Sequence, residues 1–183
     1  MPKLSSLSLL AVLTIIIVTA CNQAEVTKEA DGSQMSKQSQ ANQAACLKLT
    51  EQAKAAMSAG DKATAEAKFK EAIEAAKGVS ADSPEQAAAI ANLADFYYAQ
   101  GDGAQANLLF TQSLSMHEKA LGLMHVDLVT DLVGLAHVYS SEKKYAEAKA
   151  SLERAVDILK KAGKDVPADI TADLAKVEAL AAK

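Results

Sequence analysis

One helical pattern occurs three times along this chain at nearly equal intervals, and it constrains the fold more than any other feature. In residues 90–114, large apolar side chains alternate with small ones on both sides of a turn at Gly101. The same arrangement returns at 132–156 and, less clearly, at 49–73. Alternating large and small residues let two helices approach closely and interlock. A repeated helical hairpin predicts an all-α solenoid whose neighbouring repeats share a continuous core.

Turn and capping signals divide the folded part of the chain, residues 41–183, into three repeats and a last helix. The second repeat opens at Ser83, which is followed by Pro84 and has a glutamine three residues later, a pattern typical of a helix N-terminus. We place the repeats at residues 42–78, 83–122 and 125–163.

The last segment, residues 167–183, predicts a single capping helix. Such a helix is expected because an uncapped solenoid would expose an apolar end to water. We expect Asp173, Lys176 and Glu178 on its outer, polar face.

The repeated residues resemble the tetratricopeptide repeat, in both the apolar positions and the turn. The positions that carry the resemblance are Ile90, Leu93, Ala94, Tyr97, Gly101, Ala106, Phe110 and Ser113 in the second unit, and Leu132, Leu135, Ala136, Tyr139, Ala148, Leu152 and Ala155 in the third. The usual repeat of that family has about 34 residues, and the longer spacing here resembles that of kinesin light chains. The resemblance implies a TPR-type helical solenoid with three repeats of about 42 residues, of which the first is the loosest.

Residues 1–20 have the features of a bacterial signal peptide. Lys3 precedes an apolar run from Leu7 to Ala20, which is too short to span a bilayer comfortably. The end of this run, Val18 to Cys21, resembles the lipobox of bacterial lipoproteins, which implies a lipid on the Cys21 thiol. The alternative is an ordinary secretory signal in which the cysteine is incidental. By the sorting rule of that family, Asn22 after the cysteine implies the outer membrane of the cell envelope, facing the periplasm.

Residues 21–40 predict a disordered tether that begins with the lipidated Cys21. The segment lacks apolar periodicity and is rich in Gln, Ser, Lys, Glu and Asp, so it buries too little surface to offset its ordering entropy. A flexible chain of this length has an end-to-end distance of about 25 Å. We expect it to hold the folded domain near the membrane while leaving the domain free to reorient.

The tetratricopeptide resemblance also implies where a partner binds. In that family the first helix of each hairpin lines a concave groove that holds a protein or peptide. The corresponding candidate residues here are Lys54, Asn92, Asp95, Tyr98 and His137. The family's asparagine position is Gly134 in the third unit, and the residues that clamp a terminal carboxylate in co-chaperone members are missing.

The sequence contains no motif for catalysis, for a metal or for a cofactor. A net charge of −4 argues against nucleic acid, which requires a basic face. His117 lies beside Glu118 and is predicted to be a surface residue, and a metal site formed with His125 would lack close-spaced ligands. If Cys21 is acylated, Cys46 has no internal disulfide partner and is either a small buried side chain or a thiol that reacts with another chain.

These observations leave three functional hypotheses in order of preference. The first is a membrane-anchored module or scaffold that binds another protein through its repeats. The second is an envelope assembly factor or pilotin-like chaperone, and the third is an enzyme.

Overall fold

The computed structural model describes residues 37–79 and 82–182, and these residues form seven helices and no strand. The helices are α1 (37–58), α2 (Lys62–Lys77), α3 (Pro84–Ala99), α4 (Gly103–Leu121), α5 (Leu128–Ser141), α6 (Tyr145–Lys161) and α7 (Ala168–Ala181). The interpretations of the signal peptide, of Cys21 and of most of the tether lie outside the described residues.

The compact helical unit starts at Ala41, where the sequence places the folded domain. Residues 37–40 are nevertheless already helical, so the prediction of a disordered tether is wrong for this short stretch. The stretch includes lysine and two glutamines, which have favourable helix propensities and can therefore extend α1 without any apolar face.

Four positions in each hairpin carry the core, and they recur with the spacing seen in the sequence. Their side chains are at most 2 % exposed in every repeat: Ala53, Ala65, Phe69 and Ala72; Ala94, Ala106, Phe110 and Ser113; Ala136, Ala148, Leu152 and Ala155. The large residue of each set enters the space left by small residues of the facing helices, which is the close packing that the pattern predicts. The all-α, TPR-type fold is therefore confirmed. Tyr139, one of the positions that carry the resemblance, is half-buried and packs against the core.

The turn inside each hairpin places one residue in the left-handed backbone region. In the first two hairpins this residue is Gly60 (φ 79°) or Gly101 (φ 82°), for which the conformation costs little. In the third hairpin it is Lys143 (φ 62°), whose Cβ makes the same conformation unfavourable. The first two turns also end in an aspartate that caps the next helix, as Asp102 does by accepting from the Gln105 amide.

The second and third hairpins meet where α4 packs against α5. The ring of Phe110 lies directly over Gly134, and a Cβ at that position would overlap the ring. Beside it, the buried Ser113 hydroxyl donates to the carbonyl of Ala87 on α3 at 2.7 Å. The absence of a side chain at Gly134 thus sets the distance between the two hairpins.

The helices pack in chain order from α2 to α7, and α3 also contacts α5. Helices α3, α5 and α7 consequently line one face, on which their polar side chains come together. None of the described helices has the combination of length and hydropathy that a membrane span requires.

Candidate functional site

Three adjoining cavities form a groove along the face made by α3, α5 and α7. The α3–α5 cavity has a volume of about 410 Å³, the central cavity about 260 Å³ and the α5–α7 cavity about 310 Å³. Asp95 lines both the α3–α5 cavity and the central cavity, and His137 lines both the central cavity and the α5–α7 cavity. The groove is therefore continuous through two of the side chains that the sequence predicts to bind a partner.

The α3–α5 cavity combines small apolar walls with polar groups. Ala88 and Ala91 form part of its wall, and Asn92 and Asp95 reach it from the same helix. One amide N–H of Asn92 donates to the Ala88 carbonyl at 2.8 Å, within its own helix. The side-chain oxygen and the second N–H of Asn92 remain available to a partner.

His117 is buried at the edge of the α3–α5 cavity, so the prediction that it is a surface residue is wrong. Its Nδ1 lies 2.7 Å from Oδ2 of Asp131, a carboxylate that is completely buried on α5. The spacing of His117 from Phe110 and Ser113, two turns and one turn earlier, places it on the inward face of α4, and this signal was available in the sequence. The pair ties α4 to α5 beneath the groove.

The surroundings of His117 favour its protonated form. Burial by itself lowers the pKa of the imidazole, but the hydrogen bond to Asp131 and the charges of Asp131 and Asp127 outweigh burial. A hydrogen bond to the backbone of Pro84 acts in the same direction. The pKa of His117 is consequently raised above its ordinary value, which makes the pair an ion pair over a wider pH range.

Asp95 is the central carboxylate of the groove. Its side chain is exposed, yet the concave surface around it limits its hydration, and this desolvation raises its pKa. The charge of Asp131 also raises the pKa of Asp95, whereas the charges of His137 and Lys54 lower it. Within the described residues Asp95 forms neither a side-chain hydrogen bond nor an ion pair.

The α5–α7 cavity is organised by a contact among three helices. Tyr98 of α3 stacks on His137 of α5, with ring centroids 6.0 Å apart and an interplanar angle of 24°. His137 Nε2 lies 2.8 Å from Oδ2 of Asp173 on α7. The expectation that Asp173 and Lys176 lie on the outer face of the capping helix is wrong, since both line this cavity. The reason is that α7 packs through Ile170 and Val177, which turns the intervening residue 173 toward α5.

The predicted groove residues do not all lie in the cavities. The structure brings Asn92, Asp95, Tyr98 and His137 to the groove. Lys54 lines none of the three cavities and lies 3.5 Å from Glu51 on its own helix. Their roles in binding stay predictions.

Three of these residues occupy the same position in successive repeats. The intervals from Lys54 to Asp95 and from Asp95 to His137 match the spacing of the core positions. The first helix of each hairpin therefore carries a different group at this shared position: a cation in the first repeat, an anion in the second and an imidazole in the third.

The described residues contain no cluster of three or more His, Cys, Asp or Glu that would hold a metal ion. Cys46 is buried, and burial is the main cause that raises the pKa of its thiol. His125 lies in the turn before α5, where its Nδ1 accepts from the Asp127 amide at 3.3 Å.

A sequence model described as the tetratricopeptide repeat matches residues 86–161, which span most of the second and third hairpins. No curated protein is significantly similar to the chain in sequence.

Solved structures show the same fold at low sequence identity. BtubC (BKLC) from P. vanneervenii matches with a TM-score of 0.65 and 20 % identity over 73 % of this chain and 55 % of its own. The TPR-like repeats of a candidate kinesin light chain from Podosopora anserina match with a TM-score of 0.64 and 23 % identity, covering 74 % of this chain and 66 % of that one.

The first TPR of Spaghetti (RPAP3), bound to the HSP90 peptide SRMEEVD, matches with a TM-score of 0.60 and 16 % identity, covering 75 % of this chain and 96 % of that one. In comparison with BtubC, described above, this chain spans little more than half of that protein's length.

Proposed function

We propose that this chain, whose residues 86–161 form tetratricopeptide repeats, is a lipid-anchored protein of the bacterial cell envelope that binds a segment of another protein. The role is that of an interaction module or scaffold without catalytic activity. Tetratricopeptide repeats generally serve as such modules, which supports the non-catalytic part of the proposal.

The observation that carries the proposal is the continuous groove on α3, α5 and α7. Its cavities offer small apolar walls, hydrogen-bonding groups such as Asn92, and an exposed aromatic ring at Tyr98. Tyrosine is enriched among the residues that dominate binding energy, because it brings a large contact area at a small entropic cost. The peptide bound to the similarly folded Spaghetti repeat supports a peptide or protein as the occupant.

The proposed anchor is the acylated Cys21, at the end of the apolar run that resembles a lipoprotein signal. Two or more acyl chains hold a protein stably on a membrane, whereas a single chain does so only marginally. We place the protein on the outer membrane, facing the periplasm. Anchoring would raise the effective concentration of the bound partner at the membrane surface.

Photocrosslinking in intact cells tests the groove. A photoreactive residue introduced at Thr130, which is exposed and lines two of the cavities, should yield a specific protein adduct. The double variant Asn92→Ala, Tyr98→Ala should lose most of it, since removing a central anchor costs at least about 2 kcal/mol of binding. The matched control is Leu108→Ala with Gln112→Ala, which changes two exposed residues of α4 outside the groove. Equal adduct yields from the two double variants would contradict the groove assignment.

Fractionation of cells that express the full chain tests the anchor. The wild-type protein should incorporate labelled palmitate and sediment with outer membranes, and Cys21→Ala should do neither. The Cys46→Ala variant is the matched control and should behave as the wild type. If the Cys21 variant stays membrane-bound and labelled, the proposed lipid site is wrong.

A further inference from the structure

Carboxylates outnumber cations in the groove. Its three cavities are lined by five carboxylates, by one lysine, by two histidines and by no arginine. The carboxylates are those of Glu85, Asp95, Asp127, Asp169 and Asp173. An extended binding surface with one sign of charge attracts a partner of the opposite sign and repels others.

Asp95 is not neutralised by direct contact with a cation, although the charges of His137 and Lys54 act on it. Other carboxylates of the groove have partners in the chain: Asp173 contacts His137, and Glu85 accepts from the Gln43 amide at 3.1 Å. Asp95 forms no side-chain hydrogen bond or ion pair within the described residues, although it lines two cavities. A poorly hydrated, unpaired carboxylate binds a cation more strongly than a fully solvated one does.

A second carboxylate, that of Asp131, lies inside the fold near Asp95. Asp131 is completely buried, and its Oδ1 has no hydrogen-bond partner among the described residues. Desolvation is the main cause of the raised pKa of Asp95, and the charge of Asp131 makes a smaller contribution in the same direction. The protonated His117 beside Asp131 offsets much of this charge, so the negative charge of the groove comes mainly from the carboxylates that line the cavities.

The form of the α3–α5 cavity favours a long cationic side chain. Its volume of about 410 Å³ is bounded on one side by Ala88 and Ala91, against which an aliphatic stem can pack. Asn92, one helical turn from Asp95, adds an acceptor oxygen. A guanidinium group carries several donors in one plane, so it can bond both the carboxylate and the amide oxygen, which an ammonium group does less well.

We infer that the groove recognises an extended, basic segment of the partner protein, with an arginine side chain in the α3–α5 cavity and its guanidinium on Asp95. This inference rests on the proposed function and defines the chemistry of its partner. The chain's own residues 22–40 are a poor occupant, since they carry three acidic residues and two lysines.

Selection from a random-peptide library on the full-length chain in detergent tests the inference. Peptides selected by the wild type should be enriched in arginine, and this enrichment should disappear with Asp95→Asn. The matched control is Asp157→Asn on α6, an exposed position outside the groove with the same change of charge. Replacing the arginine of a selected peptide with citrulline, which is neutral and similar in shape, should weaken binding about tenfold or more, because a charge-assisted hydrogen bond is lost.

The possible failures are distinguishable. Peptides that bind the wild type but not the Asn92→Ala, Tyr98→Ala variant, yet are acidic or lack arginine, would overturn the basic partner and leave the proposed function in place. If the arginine enrichment persists with the Asp95→Asn variant, the guanidinium does not bind at Asp95 and that part of the inference is wrong. If no peptide of the library requires Asn92 and Tyr98 for binding, the result contradicts the proposed function itself, and this inference with it.

Discussion

At position 134 the lack of a side chain allows α5 to approach the Phe110 ring of α4. The sequence suggested only that Gly134 interrupts a row of groove asparagines. The glycine is buried, and its packing role follows from a contact between two different helices, which no local pattern reveals.

We predict that Gly134→Ala lowers the free energy of unfolding by about 1–3 kcal/mol, because the new methyl group overlaps the completely buried Phe110 ring. Urea denaturation monitored by circular dichroism would measure the change. Gly103→Ala is the matched control, since its Cβ would meet no atom closer than 3.9 Å. Equal effects of the two substitutions would show that the overlap is not the cause.

The buried pair of His117 and Asp131 predicts a pH dependence of stability. The pKa of His117 is raised in the folded state, so the folded protein binds a proton more tightly than the unfolded chain does. The resulting stabilisation is fully present below the unfolded pKa of about 6.5 and is lost as the pH rises through the folded pKa. In urea titrations, the stability of the wild type should fall over this window relative to that of His117→Gln.

An NMR titration of the His117 ring provides an independent measurement of the same effect. A ring pKa below that of an unstructured histidine would contradict the prediction.

At the scale of the elements, the three hairpin turns share one geometry but differ in their residues. Lys143 adopts the left-handed conformation that Gly60 and Gly101 adopt in the other two turns. The sequence showed that the third turn lacks the glycine, and the structure shows that the backbone has not changed to accommodate the lysine.

We predict that Lys143→Gly raises the free energy of unfolding by about 1 kcal/mol, because the steric cost of the left-handed conformation exceeds the entropy that glycine adds to the unfolded chain. The reciprocal control is Gly101→Ala. A Cβ there would meet no atom within 4 Å, so a loss of similar size would come from the backbone alone. A destabilising Lys143→Gly substitution would show that the contacts of the lysine outweigh its backbone strain.

Most of the helical framework could be predicted from the sequence, because caps, turns and apolar spacing are local signals. Ser83, for example, accepts from the Gln86 amide as the capping pattern indicates. The groove was only partly predictable. Asn92 and Asp95 followed from their place in the repeat, and the spacing of His117 from Phe110 and Ser113 already indicated its inward position. Asp173, in contrast, was misplaced because its partner His137 lies on another helix.

Across the whole molecule, the size of the core side chains is uneven. Among the described residues, Phe69 is the one large apolar side chain buried in the first hairpin, whereas the second and third hairpins bury several, including Phe96, Phe110, Leu132 and Leu152. Smaller side chains bury less apolar surface, and in a solenoid each repeat depends mainly on its immediate neighbours.

We predict that backbone amides of α1 and α2 exchange hydrogen for deuterium at least about tenfold faster than those of α3 to α5, since the burial of even one leucine contributes about 2 kcal/mol. Exchange followed by mass spectrometry of peptic fragments would measure this gradient. Uniform protection along the repeats would show that the array opens as one cooperative unit instead.

The position shared by Lys54, Asp95 and His137 lies outside the set of buried residues that interlock the helices. The core positions repeat almost unchanged, while this one position differs in charge from hairpin to hairpin. Substitutions of Lys54 or Asp95 leave the interlocked core untouched, whereas His137 also contacts Asp173 of α7. If the groove binds a partner as proposed, exchanging a few surface side chains would redirect the scaffold to a new one, which makes it a practical starting point for engineered binders.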